Sequence, residues 1–354
     1  MKIFDRLCEV LRTEKGAVLA TIISASGSTP APSQSKMLIR TKGDGSAIGT
    51  VGGGCLDQNI LLSLSDAAFT GGARILTFHL NDDDSDAGLT CGGTVHVLVE
   101  ELDESFRPIY EHAVRRLSVG NGSYILTRVA GAPCKSLLDE GGAVIEGSKL
   151  PADILKEIGK ILRVEKEPEG SRQVKSASGE YVLEYIEPVP RLIIFGGGHV
   201  GKIVSRCGAI AGFSVTIVDD REQYANRERF PEAENILCED FEEAVETIQI
   251  SPGDFIVIVT RGHKHDERIL GKVAAFYRND IGPKYIGMIG SKRKIQLSYE
   301  RLIANGVSKE VLAQVHAPVG LDIGAETAEE IGVSIVAELI AVRRRSGQKL
   351  SFRA

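Results

Sequence analysis

The stretch "FGGGHVGKIVSRCGAIAGFSVTIVDD", residues 195–220, decides the fold of the second half of this chain. An apolar run ends in a glycine turn, a helix-length segment follows, and a second apolar run closes on two aspartates. Gly196, Gly198 and Gly201 satisfy the spacing G-x-G-x-x-G, and Asp219 lies about 20 residues further on, as a Rossmann turn requires. Such glycines let backbone amides approach a phosphate, and the helix start attracts its negative charge. His199 sits inside the turn, and Asp219 or Asp220 is placed to accept a ribose hydroxyl. The competing reading is that the glycines serve only tight strand–helix packing.

Outward from the turn, the pattern continues. "RLIIFGGG", "FSVTIVDD", "NILCED", "DFIVIVTRG" and "KYIGMIGS" alternate with helical segments predicted at 241–249, from Asp266 and from Lys292. Strands and helices at this spacing predict a Rossmann-like, doubly wound parallel sheet, with ligands at the C-terminal edge of its strands. Two stretches fall on that edge. In "TRGHKHDERIL", His263, His265 and Asp266 suit acid–base work or a metal; alternatively Asp266 only caps the helix. In "YIGMIGSKRK", Gly290 leads to Ser291, a natural N-cap, and then to Lys292, Arg293 and Lys294. That start either holds a second anionic group or presents a solvated basic face.

The N-terminal half mixes strands and helices differently and predicts a separate α/β domain with a mixed sheet. The expected division is 1–185 and 186–354, with the polar stretch 166–180 as the linker candidate. Ile3, Phe4, Leu7, Val10 and Leu11 lie on one face of a first helix. Three stretches carry chemistry. "GTVGGGCLDQN" leads Gly53 and Gly54 into Cys55, where backbone amides form an anion nest and lower a thiol pKa, or where a small cysteine is simply buried. "GLTCGGTVHV" flanks Cys91 with glycines; thiolates suit transition metals or sulfur transfer, and the acidic run Asp82–Asp86 precedes it. "GSTPAPSQSKM" offers the hydroxyls of Ser28, Thr29 and Ser33 on a proline-set loop that suits a substrate or pterin.

Composition removes several classes. A net charge of −6 without any Trp argues against nucleic acid as a partner. No apolar run reaches the length of about 18 residues that a membrane span needs. The first residues lack the apolar core of a signal peptide. Six cysteines without a C-x-x-C pair point to a reducing cytoplasm and against a zinc site or iron–sulfur cluster. No period of 20–50 residues is visible. No metal ligand and no catalytic residue is assigned.

Taken together, "GSTPAPSQSKMLIR", "GTVGGGCLDQ", "LTCGGTVHVLVE", "FGGGHVG", "VDDRE", "TRGHKHDERIL", "YIGMIGSKRK" and "APVGLDIGAETAEEIGVSIVAELI" resemble one family over nearly the whole chain. It is the XdhC/CoxI family of molybdenum-cofactor accessory proteins associated with xanthine dehydrogenase. Ala31 follows Pro30 where that family usually has a basic residue. The resemblance implies a protein that binds molybdenum cofactor (molybdopterin) as cargo. It would assist sulfuration with a cysteine desulfurase and deliver the cofactor to a xanthine dehydrogenase-type molybdenum hydroxylase. Gly196–Gly201 would cradle a phosphate, and Cys55 and Cys91 would stand near the labile sulfur. A homodimer is expected because ligands are often enclosed at shared interfaces. Two alternatives stay open: an NAD(P)-dependent oxidoreductase using the Rossmann turn, and a regulatory or structural subunit of a xanthine dehydrogenase complex.

Overall fold

A computed structural model describes residues 2–27, 34–41, 46–65, 72–79, 93–129, 131–164, 170–279 and 282–344. The chain divides into two units, Met1–Pro188 and Val189–Ala354. Unit 1 opens with helix α1 (Lys2–Glu14), whose Phe4, Leu7, Val10 and Leu11 are buried. Their spacing puts them on one face, and burying each contributes roughly 1.5–3 kcal/mol. Strands β1 (Gly16–Ser26), β2 (Lys36–Arg40) and β3 (Ala47–Gly49) follow, then helix α2 (Gly54–Ser65) and strands β4 (Ala73–His79) and β5 (Thr94–Asp103). They form one sheet in the order β3-β2-β1-β5-β4.

The second half of unit 1 runs through α3 (Arg107–Ser118), β6 (Ser123–Val129), β7 (Lys135–Leu138), β8 (Val144–Gly147), α4 (Ala152–Val164), β9 (Ser171–Ser176) and β10 (Gly179–Ile186). Its sheet order is β8-β7-β6-β10-β9. Element for element, this half repeats the first. Lys36 opens β2 opposite Thr21, and Lys135 opens β7 opposite Thr127. Glu100 faces Leu19, two residues before Thr21, and Glu184 faces Ile125, two before Thr127. The same spacing separates Phe4 from Thr21 and Tyr110 from Thr127.

The lysine of each half pairs with the glutamate of the other. Lys135 Nζ lies 2.7 Å from Glu100 Oε1, and Lys36 pairs with Glu184; all four side chains are buried. Each lysine also lies over the aromatic ring of its own half's first helix, Lys36 at 5.7 Å from Phe4 and Lys135 at 5.4 Å from Tyr110. A buried charge without a partner is costly, so each half needs the other.

The N-terminal α/β expectation therefore holds with a refinement. The pairing is antiparallel in both sheets rather than mixed. Neighbours such as β1 and β2, or β9 and β10, follow each other directly in the chain, whereas parallel pairing needs a longer crossover. The linker expected at 166–180 is corrected over its described part, because residues 171–186 form the β9–β10 hairpin, while 166–169 lie outside the described residues. Its polar composition fits because β9 is an edge strand that buries only Val174.

Unit 2 runs β11 (Arg191–Phe195), α5 (His199–Ile210), β12 (Ser214–Val218), β13 (Asn235–Leu237), α6 (Phe241–Thr247), β14 (Phe255–Ile258), α7 (His263–Ala274), β15 (Tyr285–Met288), α8 (Lys292–Ala304), α9 (Lys309–Leu312) and α10 (Ala328–Arg344). The sheet is parallel, in the order β13-β12-β11-β14-β15. Leu192 and Ile194 face one core layer with α5 and α10, while Ile193 and Phe195 face the other with α6, α7 and α8. Burial on both faces is why these strands read as unbroken apolar runs. The order reverses between β11 and β14, which opens a crevice beyond their C-terminal ends. Helix α7 starts at His263, not at Asp266 as the sequence led us to expect; Gly262 is its N-cap.

Candidate functional site

The crevice begins at the glycine turn. A side chain at Gly196 would stand 2.4 Å from Val259 O, and one at Gly201 would stand 1.9 Å from Gly196 O. These two glycines are demanded by packing of turn, strand and helix. Gly198 differs: no atom lies within 4 Å of where its Cβ would be. It N-caps α5 without a side-chain acceptor, and His199 stands exposed beside it. The turn thus leaves open space next to the amides at a helix N-terminus, the arrangement that receives phosphates.

Asp219 lies under this turn and is 1% exposed. Its carboxylate accepts from Gly197 N at 2.9 Å, Arg221 Nε at 2.9 Å and Arg221 Nη2 at 3.1 Å. Both oxygens therefore hold the turn and the loop after β12, and a ribose hydroxyl would have to displace them. Asp220 is bound by the guanidinium of Arg261, with Nη2 donating to Oδ2 at 2.7 Å. That hydrogen-bonded ion pair keeps the Asp220 carboxyl below the usual carboxylate range. It joins the loop after β12 to the loop after β14, on either side of β11.

Beyond β14 and β15 a cleft of about 280 Å³ opens between α7 and α8. Its wall includes Thr260, Arg261, His263, Asp266, Gly290 and Lys294. Thr260 is shared ground, because Gly196 packs against its backbone. Asp266 does not cap α7; it sits one turn inside and accepts from Thr260 N at 3.1 Å and from Thr260 Oγ1 at 2.6 Å, both on Oδ1. Burial of the carboxyl pushes its pKa up to about 6. Ser291 caps α8 by accepting from Lys294 N at 3.4 Å. Ser291 and Lys292 stand beside the cleft rather than on its wall, and the His265 ring meets that of Phe241 in an edge-to-face contact at 5.4 Å.

In unit 1, β1 ends, β2 starts, β3 ends, β4 ends and β5 starts at one end of the first sheet, as the pairs Ser26↔Thr94, His79↔Thr94 and Met37↔Gly49 establish. The three stretches singled out in the sequence leave from that end. Gly53 and Gly54 have φ of +73° and +52°, in the left-handed region that favours glycine. The expected anion nest is corrected in part: Gly52 N and Gly53 N donate to Thr50 Oγ1, at 3.1 and 2.6 Å. Thr50 in turn donates to Asp57 Oδ2 at 2.7 Å. The space around Gly54 is open, and Cys55 is half-buried in the first turn of α2. Cys91, Ser28, Thr29, Ser33 and the run Asp82–Asp86 lie outside the described residues.

The structure brings Gly196, Gly198, His199, Gly201 and Asp219 to the turn and His263 and Gly290 to the adjoining cleft. Sequence reasoning named Asp266 and Lys294 in their stretches but did not single out Thr260, Arg261 and Ser298, which also line the cleft. Thr260 and Arg261 directly follow an apolar strand at the ligand edge; Lys294 and Ser298 share one face of α8. Those were the available signals. Among the described residues no group of three or more His, Cys, Asp or Glu side chains is arranged to hold a metal ion. No helix there is long and apolar enough to cross a membrane.

The fold and crevice define an α/β protein with a Rossmann turn that leaves open space at the N-terminus of α5. Residues 10–79 match the XdhC and CoxI family, and residues 192–339 match the XdhC Rossmann domain, so the chain belongs to the XdhC/CoxI family. It is 28% identical over 339 residues to a Bacillus subtilis protein described as a probable subunit of xanthine dehydrogenase, covering 95% of this chain and 96% of that one. It is 22% identical over 337 residues to the Escherichia coli molybdenum cofactor insertion chaperone PaoD, covering 95% of this chain and 86% of PaoD. The fold is shared with the crystal structure of a protein described as a xanthine dehydrogenase from Bacillus halodurans. The TM-score is 0.77 and the identity 24%, over 98% of both chains.

Proposed function

We propose that this protein carries molybdenum cofactor to a xanthine dehydrogenase-type molybdenum hydroxylase. The observation that carries the reading is that 95% of this chain, spanning both units, aligns with a relative named for inserting that cofactor. The open position at Gly198, on the N-terminus of α5, supports it by offering a molybdopterin phosphate a place. In this reading the cofactor is cargo, and the protein binds and shelters it rather than turning over a substrate. Sulfuration by a cysteine desulfurase, a thiol role for Cys55 and Cys91, a homodimer and a cytoplasmic setting are finer parts of the same proposal.

The alternative is an NAD(P)-dependent oxidoreductase, which the strand order and the glycine spacing favour. Asp219 weighs against it, because both of its oxygens are committed to Gly197 and Arg221. The test is to mix purified full-length protein with molybdopterin cofactor, separate it by gel filtration, and measure retained molybdenum and pterin. Retention near one per chain, followed by activation of an apo-hydroxylase, is expected. Binding of NADH with turnover and no retained pterin sinks the proposal.

A further inference from the structure

The cleft between α7 and α8 contains an acid that packing alone does not explain. Unit 2 buries four carboxylates among the described residues: Asp219, Asp254, Asp266 and Glu338. Three of them commit both oxygens to the chain. Asp219 binds Gly197 and Arg221; Asp254 binds Arg191 and Ser251 N; Glu338 binds His316, Tyr285 and Gly320 N. Asp266 commits one. Oδ1 takes both donors of Thr260, and among the described residues nothing pairs with Oδ2. The residue is 6% exposed and lies on the cavity wall. A carboxylate oxygen left without a protein donor on a cavity wall can accept a ligand N–H.

The rest of the wall narrows the choice. Met288, Ile289 and Ile295 give apolar faces for a flat ring, while Lys294 and Ser298 offer donors from α8. A ring that donates toward α7 and accepts from α8 fits this pattern. Pockets for drug-sized ligands run to about 300–1,000 Å³, so 280 Å³ suits one fused bicycle rather than a dinucleotide. Thr260 lines the cleft and also packs against Gly196 of the glycine turn, so the two places adjoin.

We propose that Asp266 is a specificity residue whose free oxygen accepts N–H from the 2-amino-4-oxopyrimidine edge of a fused heterocycle. That edge is common to pterin and guanine. The inference rests on the carrier reading above and says which end of the cargo goes where. Arg261 from the preceding loop, His263 on the same helix and Lys294 from α8 are the charged or titratable groups facing the cleft with it. Because burial lifts the Asp266 carboxyl to about 6, its acceptor form, and with it the affinity, declines as the pH falls through that value.

The test uses the full-length protein and four probes by calorimetry at pH 7.5: 6-hydroxymethylpterin, the matching lumazine that lacks the 2-amino group, GMP and AMP. The pterin is expected to bind at least tenfold tighter than the lumazine. Asp266→Asn, with its unfolding transition intact, is expected to weaken pterin about tenfold to a hundredfold. The lumazine comparison needs no variant, so it decides even where Asp266→Asn fails to fold. GMP binding more tightly than pterin assigns the cleft to a guanine nucleotide instead. Equal binding of pterin and lumazine, AMP as good as GMP, or an indifferent Asp266→Asn overturns the proposal. Molybdopterin retained equally by wild type and Asp266→Asn removes this inference and leaves the carrier reading standing. Wild type that binds GMP through Asp266 and retains no molybdopterin removes the carrier reading alone.

Discussion

The backbone N–H of Gly197 donates to Asp219 Oδ2 at 2.9 Å, beneath a turn where that carboxylate is 1% exposed. The acid therefore acts as the keel of the turn. Asp219→Asn keeps the shape but sets an NH2 group against the donors of Arg221. Hydrogen bonds to charged groups are worth about 1.5–3 kcal/mol each. We expect Asp219→Asn to lose about 2–3 kcal/mol in denaturant unfolding of unit 2, and a loss below about 0.5 kcal/mol contradicts this role.

Gly201 and Gly198 separate packing from binding. A methyl at Gly201 would stand 1.9 Å from a backbone oxygen, so Gly201→Ala forces the helix off the turn. Overpacking of this kind costs about 1–3 kcal/mol or more. Gly198 has open space and an ordinary φ of −66°, so Gly198→Val should leave stability within about 0.5 kcal/mol. Its expected effect is on cargo: at least a tenfold drop in retained molybdopterin after gel filtration. A folded Gly198→Val protein that retains cofactor normally removes the turn from the site.

Asp266 makes a prediction about pH. Its folded pKa of about 6 lies above the ordinary 3.8, so the folded state holds the proton more tightly than the unfolded chain. The protonated acid's contribution is complete below about pH 4 and is lost as the pH rises through 6. At pH 7.5 the ionised, desolvated carboxylate costs on the order of 3 kcal/mol. Asp266→Asn keeps an acceptor for Thr260 and escapes that cost. The variant should be more stable than wild type at pH 7.5 and should converge with it near pH 4; parallel stability curves would argue against the raised pKa.

Which of this was legible in the sequence follows from what local pattern can encode. The Rossmann unit was, because strands buried on both faces leave apolar runs and the turn leaves its glycines. The pairing inside unit 1 was not. The two halves share Thr, Lys and Glu at matching register but differ in loop length, β1 to β2 being joined by a longer connection than β6 to β7. A repeat of that kind leaves no fixed period. The crossed pairs Lys36–Glu184 and Lys135–Glu100 join residues far apart in the chain, and read alone each looks like a solvated charge. Asp219 fits a ribose acceptor by spacing; only its burial and the reach of Arg221 assign it to the turn.

Those crossed pairs predict strong coupling. Lys135→Met leaves Glu100 buried without its cation and should cost about 3–5 kcal/mol. Adding Glu100→Leu removes the second charge, and replacing a whole buried pair by apolar groups is often neutral. The double variant should therefore recover most of the loss. A double-mutant cycle read by denaturant unfolding measures this directly, and simple additivity of the two single effects would show that the pair does not hold the halves together.

Cys55 follows a turn in which the amides of Gly52 and Gly53 are already occupied. Thr50 accepts from Gly52 N and Gly53 N and donates to Asp57, so the turn is rigid before any ligand arrives. Thr50→Val removes that acceptor and should cost about 1–2 kcal/mol. Cys55→Ser is nearly isosteric and should leave the unfolding transition in place. If the thiol stands near the labile sulfur of the cargo, Cys55→Ser delivers molybdenum at the wild-type level but yields a less active hydroxylase per molybdenum. The measurement is activity of the matured hydroxylase divided by its metal content. Wild-type activity per molybdenum from Cys55→Ser makes the cysteine a packing residue of α2, and the rigid turn then serves only to start that helix.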